Sequence, residues 1–217
     1  MKLLVGLGNP GKEYATTRHN IGWLLLDRLA KEWSASAFRA QKEFHALVSE
    51  ARVNDEKVLL IKPTTYMNNS GTAVQAILSY YHLTAADMLV VQDEMDYAVG
   101  TFAFAVGGGA AGHNGIGSIH TQLGTKDIPR LRLGISRPTG QIKAQDYVLQ
   151  GFSTDEQPLL DTCLSDATKA VQDWIQLGLT RAMNSWNGVK NGMDQRTPGA
   201  PRLSPTPKDR KPPSPRS

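Results

Sequence analysis

Polar side chains follow the first apolar run of the chain, where a strand pattern over residues 2–5 ends and a helical pattern has not yet begun. Five of them lie in this connection: Asn9, Tyr14, Arg18, His19 and Asn20. A histidine has an unperturbed pKa near neutrality, so His19 has the chemistry of a general base that activates water. Ligands of open α/β sheets bind at connections of this kind. We therefore predict a reaction site in this segment.

A carboxylate at the end of a second strand can assist this histidine. Asp93 directly follows the apolar run 89–92, which places it at the same edge of the predicted sheet as His19. There it can accept a hydrogen bond from His19, fix the tautomer and stabilise the imidazolium, as triad carboxylates do. The alternative interpretation of Asp93 is a turn acid or helix cap. His113 competes with His19 for the role of base.

Other catalytic chemistries fit the sequence less well. No two of the five histidines stand at a metal-ligand spacing, so no metal site is predicted. No Gly-x-Ser-x-Gly elbow is present, and Cys163 lies among leucines on a helical face, as a small buried hydrophobe would. With no obvious covalent nucleophile, hydrolysis would need an activated water.

Two glycine-rich segments suggest nucleotide binding, and each fails on a specific requirement. Gly6, Gly8 and Gly11 have dinucleotide-fingerprint spacing, but Pro10 interrupts and the helical pattern starts only near residue 20, so no amides meet a pyrophosphate. Residues 107–112 have the spacing of an ATP-binding loop, but His and Asn follow where Lys and Ser or Thr are needed. We predict no cofactor. An NAD-linked enzyme remains the alternative that a dinucleotide titration would detect.

Strand and helix patterns alternate along the chain. Strands are predicted at residues 2–5, 44–53, 57–61, 88–92, 100–106 and 131–136. Helices are predicted at 21–33, 69–81, 114–123 and 154–177, the last opened by a capping box from Ser153 to Glu156. This order predicts an α/β fold with a mixed, mostly parallel twisted sheet and helices on both faces.

Chain length and composition limit the class of protein. The chain of 217 residues suits one domain, and no run is apolar enough for a membrane span. The single cysteine and the short, three-residue apolar run before Gly6 favour a reducing compartment without a secretory leader. We expect a cytoplasmic protein and take a monomer as the default.

The net charge of +4 comes from one end of the chain. Residues 194–217 hold six basic and two acidic residues, which leaves 18 of each sign in the rest. The same end holds seven of the twelve prolines, so we predict a catalytic domain at 1–190 and a disordered Pro-rich basic tail at 191–217. The tail is either a solvated extension or an electrostatic tether for RNA. The body has no net field for phosphates, so any RNA binding must come from local patches.

Residues 14–22 (YATTRHNIG) resemble the signature of the bacterial peptidyl-tRNA hydrolase family, and so do residues 6–11 (GLGNPG). Three later segments resemble it as well: residues 62–71 (KPTTYMNNSG), 93–96 (DEMD) and 107–115 (GGGAAGHNG). The resemblance covers roughly residues 1–190, with the motifs in the family's order. It implies metal-free hydrolysis of the ester between a peptide and the 3′ ribose of tRNA, which would free the tRNA for reuse.

The resemblance also implies roles for individual residues. It assigns the base to the position of His19, and peptide recognition to that of Asn9. Asparagines hold carbonyls without competing for protons, which suits Asn68 and Asn114 to bind substrate and water. Each could instead be an ordinary turn residue. The further contacts with the acceptor stem and the 3′ CCA end would come from Tyr14, Tyr66, Met67, His113 and Arg132, although Met67 could equally be a core residue.

One feature departs from the family. Many members carry basic side chains at the positions of Ala103, Ala105 and Gly117, and the family uses such groups near the 5′ phosphate of tRNA. Arg132 is retained, so we expect a weakened clamp on that phosphate. A non-catalytic RNA-binding relative, like the plant organelle splicing factors, is the alternative function. The presence of Asn9, His19, Asp93 and Asn114 argues against it.

Overall fold

The seven strands of the computed structural model, which describes residues 1–188, form one mixed sheet. In chain order they are β1 (Lys2–Gly6), β2 (Arg39–Gln41), β3 (Ala46–Val53), β4 (Glu56–Pro63), β5 (Met88–Glu94), β6 (Phe102–Val106) and β7 (Pro129–Gly134). Their order across the sheet is β2-β3-β4-β1-β5-β7-β6. The central strands β4, β1, β5 and β7 are parallel, while β2, β3 and β6 pair antiparallel at the edges.

Helices cover both faces of this sheet. They are α1 (Ile21–Glu32), α2 (Ser70–Tyr80), α3 (Asn114–Leu123), α4 (Ala144–Tyr147), α5 (Gln157–Leu177) and α6 (Leu179–Trp186). Side chains of α1, α5 and α6 pack in one core cluster, and those of α2 and α3 pack in a second cluster on the opposite face. Every residue of β5 is buried, as expected for a central strand with helices on both sides. The predicted α/β fold is confirmed.

Several predicted boundaries are wrong in detail. Helix α5 begins at Gln157 rather than at residue 154. The Ser153 amide does donate to Glu156 Oε2 at 2.7 Å, but the Glu156 carboxylate also binds Arg18, an ion pair that a capping pattern does not reveal. Strand β7 begins two residues before its predicted start. The short elements β2 and α4, of three and four residues, carry too little periodic pattern to be predicted, whereas the amphipathic helix α6 was missed despite its pattern.

The carboxyl ends of β1, β5 and β7 meet at one edge of the sheet, since the three strands are parallel. The segment that follows β1 carries His19, and Asp93 lies in β5 one residue before its carboxyl end, so the fold brings the two predicted catalytic residues to the same edge. Among residues 1–188, no helix has the length and hydropathy that crossing a membrane requires. The predicted tail at 191–217 lies outside the described residues.

Candidate active site

Close backbone contact holds the His19 segment against the sheet. A Cβ atom placed on Gly6 would lie 2.6 Å from the carbonyl oxygen of Gly22, so the end of β1 and the start of α1 touch through bare glycines. Residues Arg18–Asn20 form a single 3₁₀ turn directly before α1. Because α1 begins only at Ile21, its amides do not meet the first glycine loop. The close approach of the two backbones therefore explains why glycine is needed at positions 6 and 22, and no bound dinucleotide is required for it.

His19 and His113 share one carboxylate oxygen. Asp93 Oδ1 lies 2.8 Å from His19 Nδ1 and 2.9 Å from His113 Nε2, and the two imidazole centroids are 5.1 Å apart. All three side chains are largely buried, with Asp93 only 4% exposed. The predicted hydrogen bond between His19 and Asp93 is present, and His113 makes a second hydrogen bond to the same carboxylate oxygen.

Hydrogen bonds fix the tautomer of each histidine. His113 Nδ1 accepts the amide N–H groups of Gly115 and Ile116 at 3.2 and 3.4 Å, so it carries no proton and Nε2–H donates to Asp93. His113 therefore caps α3 as a neutral imidazole. In His19 the donor to Asp93 is Nδ1–H, which leaves Nε2 as an acceptor with no hydrogen-bond partner in the described part of the chain. Only His19 has a nitrogen lone pair available to a water.

The electrostatic setting suits a base that Asp93 supports. Burial, the largest influence, lowers the pKa of His19, but the charge of Asp93 and its hydrogen bond outweigh burial and raise this pKa above 6.5. Burial opposes ionisation of Asp93 as well, yet the interactions with the two histidines lower its pKa. Asp93 thus remains a carboxylate that stabilises protonated His19.

The same three residues are the one group of potential metal ligands found among residues 1–188, with donor atoms within 4.8 Å of one another. Sequence spacing did not predict this group, because its members lie 20 to 94 positions apart in the chain. The ligating atoms already bond to one another at hydrogen-bond distances, and His113 Nε2 carries the donated proton. A metal ion would have to displace both hydrogen bonds, so the arrangement fits an acid–base site better than a metal site.

Asn9 is held by a hydrogen-bond network that leaves its amide nitrogen free. Its Oδ1 accepts the Met67 amide N–H at 2.9 Å, its own N–H donates to Asn20 Oδ1 at 2.9 Å, and Asn20 Nδ2 donates to its carbonyl oxygen at 3.0 Å. Asn9 Nδ2 therefore remains as a donor for a substrate. Asn20 orients Asn9, a role that the sequence did not reveal.

Two cavities lie on either side of the loop that carries His113. The first has a volume of about 580 Å³ and is lined by His19, Gln92, Asp93 and Lys143 with several apolar residues. The second, of about 500 Å³, is lined by Asn68, Asn69 and residues of α3. His113 and Asn114 line both cavities. The predicted asparagines Asn68 and Asn114 are therefore brought together around the second cavity.

The remaining predicted contacts differ in how accessible they are. Tyr66 is 63% exposed and Tyr14 is half-buried, so both rings reach the surface. Met67 is only 4% exposed, packs in the α2 and α3 core and lines neither cavity. Its backbone N–H, not its side chain, contacts the site.

Arg132 is already engaged inside the protein. Its Nε donates to Glu94 Oε2 at 2.7 Å, its Nη1 donates to Tyr97 Oη at 3.2 Å, and its guanidinium lies over the Tyr97 ring. Arg130 turns inward to the carbonyl oxygens of Gly107 and Gly109. A phosphate at Arg132 would have to compete with Glu94.

A partly buried ion pair connects the His19 segment to the start of α5. The Arg18 guanidinium makes two hydrogen bonds to Glu156, at 3.0 and 2.7 Å, and stacks between the rings of Tyr147 and Phe152. The backbone N–H of His19 donates to the Val148 carbonyl oxygen at 2.8 Å. No sequence pattern indicates this pair, because its members lie 138 positions apart.

Comparison with known proteins places this geometry in context. The family model described as peptidyl-tRNA hydrolase matches residues 3–195. The peptidyl-tRNA hydrolase of Syntrophomonas wolfei is 43% identical over 187 residues, which cover 86% of this chain and all of the relative. That of an Exiguobacterium species is 46% identical over the same share of each chain. The crystal structure of peptidyl-tRNA hydrolase from Acinetobacter baumannii superposes with a TM-score of 0.81 at 34% identity, over 87% of this chain and 95% of that one.

Proposed function

The chain belongs to the peptidyl-tRNA hydrolase family and is a peptidyl-tRNA hydrolase, and we propose that His19 is the general base that activates the hydrolytic water. The observation that carries this assignment is the pair of hydrogen bonds to Asp93. Both ring nitrogens of His113 are hydrogen-bonded, one to Asp93 and the other to the α3 amides. His19 lines the first cavity, and its Nε2 has no hydrogen-bond partner among residues 1–188. The base is therefore His19 rather than His113.

The reaction follows from this geometry. His19 Nε2 takes a proton from a water as the water oxygen attacks the ester carbonyl carbon, and Asp93 stabilises the imidazolium. The tetrahedral intermediate then collapses, the bond to the 3′ oxygen of the ribose breaks, and His19 returns the proton to that oxygen. The products are a peptide with a free carboxylate and a tRNA with a free 3′ hydroxyl. Acid–base catalysis of this kind contributes roughly 100- to 10,000-fold to a rate.

Amide groups complete the site. Asn9 Nδ2 is the donor best placed to bind a carbonyl oxygen of the peptide, since its other polar atoms are engaged. Asn68 and Asn114, on the second cavity, hold the substrate and the water. Neutral donors of this type stabilise a developing oxyanion without exchanging protons with the base.

The tRNA end of the substrate is assigned to exposed groups at the same edge. Tyr14 and Tyr66 offer ring faces to unpaired nucleotides of the CCA end, and Arg132 faces the acceptor stem. His113 contributes through Asp93 and Met67 through its contact with Asn9. A cytoplasmic monomer without a cofactor, with a catalytic domain at 1–190, completes the proposal.

The test measures release of the blocked amino acid from N-acetyl-aminoacyl-tRNA in the presence of EDTA. We expect the native chain to cleave this ester and to spare free aminoacyl-tRNA, and His19→Ala to lose at least about 100-fold in rate. His120→Ala is the matched control, because His120 makes no hydrogen bond in the described part of the chain. If the native chain binds tRNA but cleaves nothing, the non-catalytic RNA-binding alternative replaces this proposal.

A further inference from the structure

Gln92 is a buried amide beside the catalytic carboxylate that the mechanism above does not use. It precedes Asp93 in β5, is 2% exposed and lines the first cavity together with His19. Its Nε2 donates to the Asp93 backbone carbonyl at 3.3 Å. The reverse orientation would set two oxygens against each other, so Oε1 is the free end of this amide.

No residue among 1–188 donates a hydrogen bond to Gln92 Oε1. A buried acceptor without a donor costs about 1–3 kcal/mol, and such groups are rare in folded proteins. The adjoining cavity, at about 580 Å³, has room for water and for several substrate groups. The oxygen itself has almost no solvent-accessible surface in the free enzyme, so a substrate donor would reach it through a small turn of the Gln92 side chain toward the cavity that this residue lines.

We propose that Gln92 Oε1 accepts a hydrogen bond from the first amide N–H of the peptide, on the amino acid esterified to the tRNA. This inference rests on the proposed function. The amide nitrogen lies two bonds from the carbonyl carbon that the His19 water attacks, and Gln92 is the chain neighbour of the carboxylate that orients His19. A peptide of any sequence presents this N–H unless the esterified amino acid is proline, so an acceptor for it recognises the backbone rather than a side chain.

The cavity walls agree with a neutral peptide rather than a free amino group. Met95, Ala111 and Val148 supply apolar surface, and the exposed Lys143 adds a positive charge. Two further wall residues are charged: Asp93, which binds His19 and His113, and Glu94, which is paired with Arg132. The α-ammonium of free aminoacyl-tRNA would lose hydration here and meet the Lys143 charge, whereas an amide N–H brings no charge.

The experiment removes the donor from the substrate and the acceptor from the enzyme. N-acetyl-alanyl-tRNA is compared with O-acetyl-lactyl-tRNA, in which oxygen replaces the amide N–H, and cleavage of the tRNA ester is followed for the native chain and for Gln92→Met. Gln176→Met is the control, because it makes the same change on an exposed face of α5. We expect the native chain and the control to favour the alanyl substrate by about tenfold. Gln92→Met should lose about tenfold on that substrate alone, so that the preference disappears.

Three outcomes overturn the inference. Equal cleavage of both substrates by the native chain would show that the N–H is not recognised, a result that requires no variant to fold. A preference that persists unchanged in Gln92→Met would assign recognition to another acceptor. The third outcome concerns the terminal nucleotide, whose adenine amino group could be the donor to Gln92 in place of the peptide N–H. It is tested with a tRNA that ends in purine riboside, which lacks this amino group. If the native chain cleaves this tRNA more slowly than normal tRNA and Gln92→Met cleaves both equally, the peptide assignment is wrong. Failure of the native chain to cleave any substrate would contradict the proposed function itself.

Discussion

At the residue scale, one carboxylate oxygen assigns different roles to two histidines. Asp93 Oδ1 binds both rings, but the α3 amides occupy the second nitrogen of His113 and nothing in residues 1–188 occupies that of His19. Two similar side chains therefore differ in function through their hydrogen-bond partners alone. His113 fixes the position of Asp93, and Asp93 raises the basicity of His19.

Asp93→Asn tests this division of roles through the pH dependence of kcat. His19 must be neutral to accept a proton, so activity rises with pH through its pKa. Asp93 holds that pKa above 6.5, and the amide lacks the charge that does so. We expect the midpoint of the acid limb to move to lower pH in Asp93→Asn, and the plateau of kcat to fall by about 100-fold or more.

The control for this measurement is Asp161→Asn, a change of the same type on an exposed turn of α5. This control variant should show the same dependence of kcat on pH as the native chain. An acid limb that stays in place or moves to higher pH in Asp93→Asn would contradict the assignment of His19 as the titrating base.

At the element scale, the ion pair between Arg18 and Glu156 holds the 3₁₀ turn with His19 against the start of α5. The Arg18 side chain is 7% exposed, and its two hydrogen bonds to Glu156 are supported by two aromatic rings. The isolated bridge between Thr17 and Gly151 adds a backbone contact beside it. The position of the base therefore depends on a helix more than 130 residues later in the chain.

Glu156→Gln should destabilise the fold by about 2–3 kcal/mol at pH 7, somewhat less than the loss of a partner in a fully buried pair, because Glu156 is 22% exposed. Burial, the largest influence, raises the pKa of Glu156, but the hydrogen bonds from Arg18 and Ser153 and the charge of Arg18 lower it below 4.5. Its contribution to stability is therefore present above pH 4.5 and lost as the pH falls through the lowered pKa. The difference in the free energy of unfolding between the variant and the native chain should therefore become smaller below about pH 4.

Urea unfolding at pH 7 and at low pH measures both effects. Glu32→Gln, which removes an exposed partner of Arg28 in α1, is the control and should cost less than about 1 kcal/mol. If Glu156→Gln lowers the free energy of unfolding by the same amount at both pH values, the carboxylate charge is not what stabilises this contact.

At the scale of the whole molecule, the charges available to RNA are few. Residues 1–193 hold equal numbers of basic and acidic side chains. Arg132 and Arg130, which lie on β7 near the predicted phosphate site, are engaged by Glu94 and by backbone carbonyls. Ala105, on the edge strand β6, pairs with Arg130 of β7 and adds no charge there. Local patches, rather than a general field, must therefore attract the tRNA.

Ala105→Lys tests the predicted weakness of the 5′-phosphate clamp. The added charge stands beside β7 at a half-buried position, so it should increase the loss of cleavage rate that follows removal of the 5′ phosphate from the tRNA. The increase should diminish at high salt, because screening weakens exposed charge interactions. The measurement is the ratio of kcat/KM for tRNA with and without this phosphate, in the native chain and the variant.

Ala86→Lys, an exposed change near the amino end of β5, is the control and should leave the ratio unchanged. Equal losses on removal of the phosphate in the native chain, in Ala105→Lys and in a family member with lysine at this position would contradict a weakened clamp.

The amino-acid sequence by itself determined the architecture and the proximity of His19 and Asp93, the proposed catalytic pair. Buried strands are apolar runs, so the sequence indicates β1 and β5, and parallel strands place their carboxyl ends at one edge, which predicts the contact between His19 and Asp93. The motifs around Asn9, Asn68 and Asn114 indicated the family, which the comparisons confirm. These features depend on local pattern, and local pattern is what a sequence displays.

Only the tertiary structure decided how the polar atoms are shared. The capping of α3 by His113, the Arg18 pair with Glu156, the engagement of Arg132 by Glu94 and the free oxygen of Gln92 all depend on distances between segments remote in sequence. A hydrogen bond forms or fails within a few tenths of an ångström, and packing of the whole chain sets those distances. The residue types were visible in the sequence, whereas the choice of partners, and with it the division between the base His19 and the cap His113, required the fold.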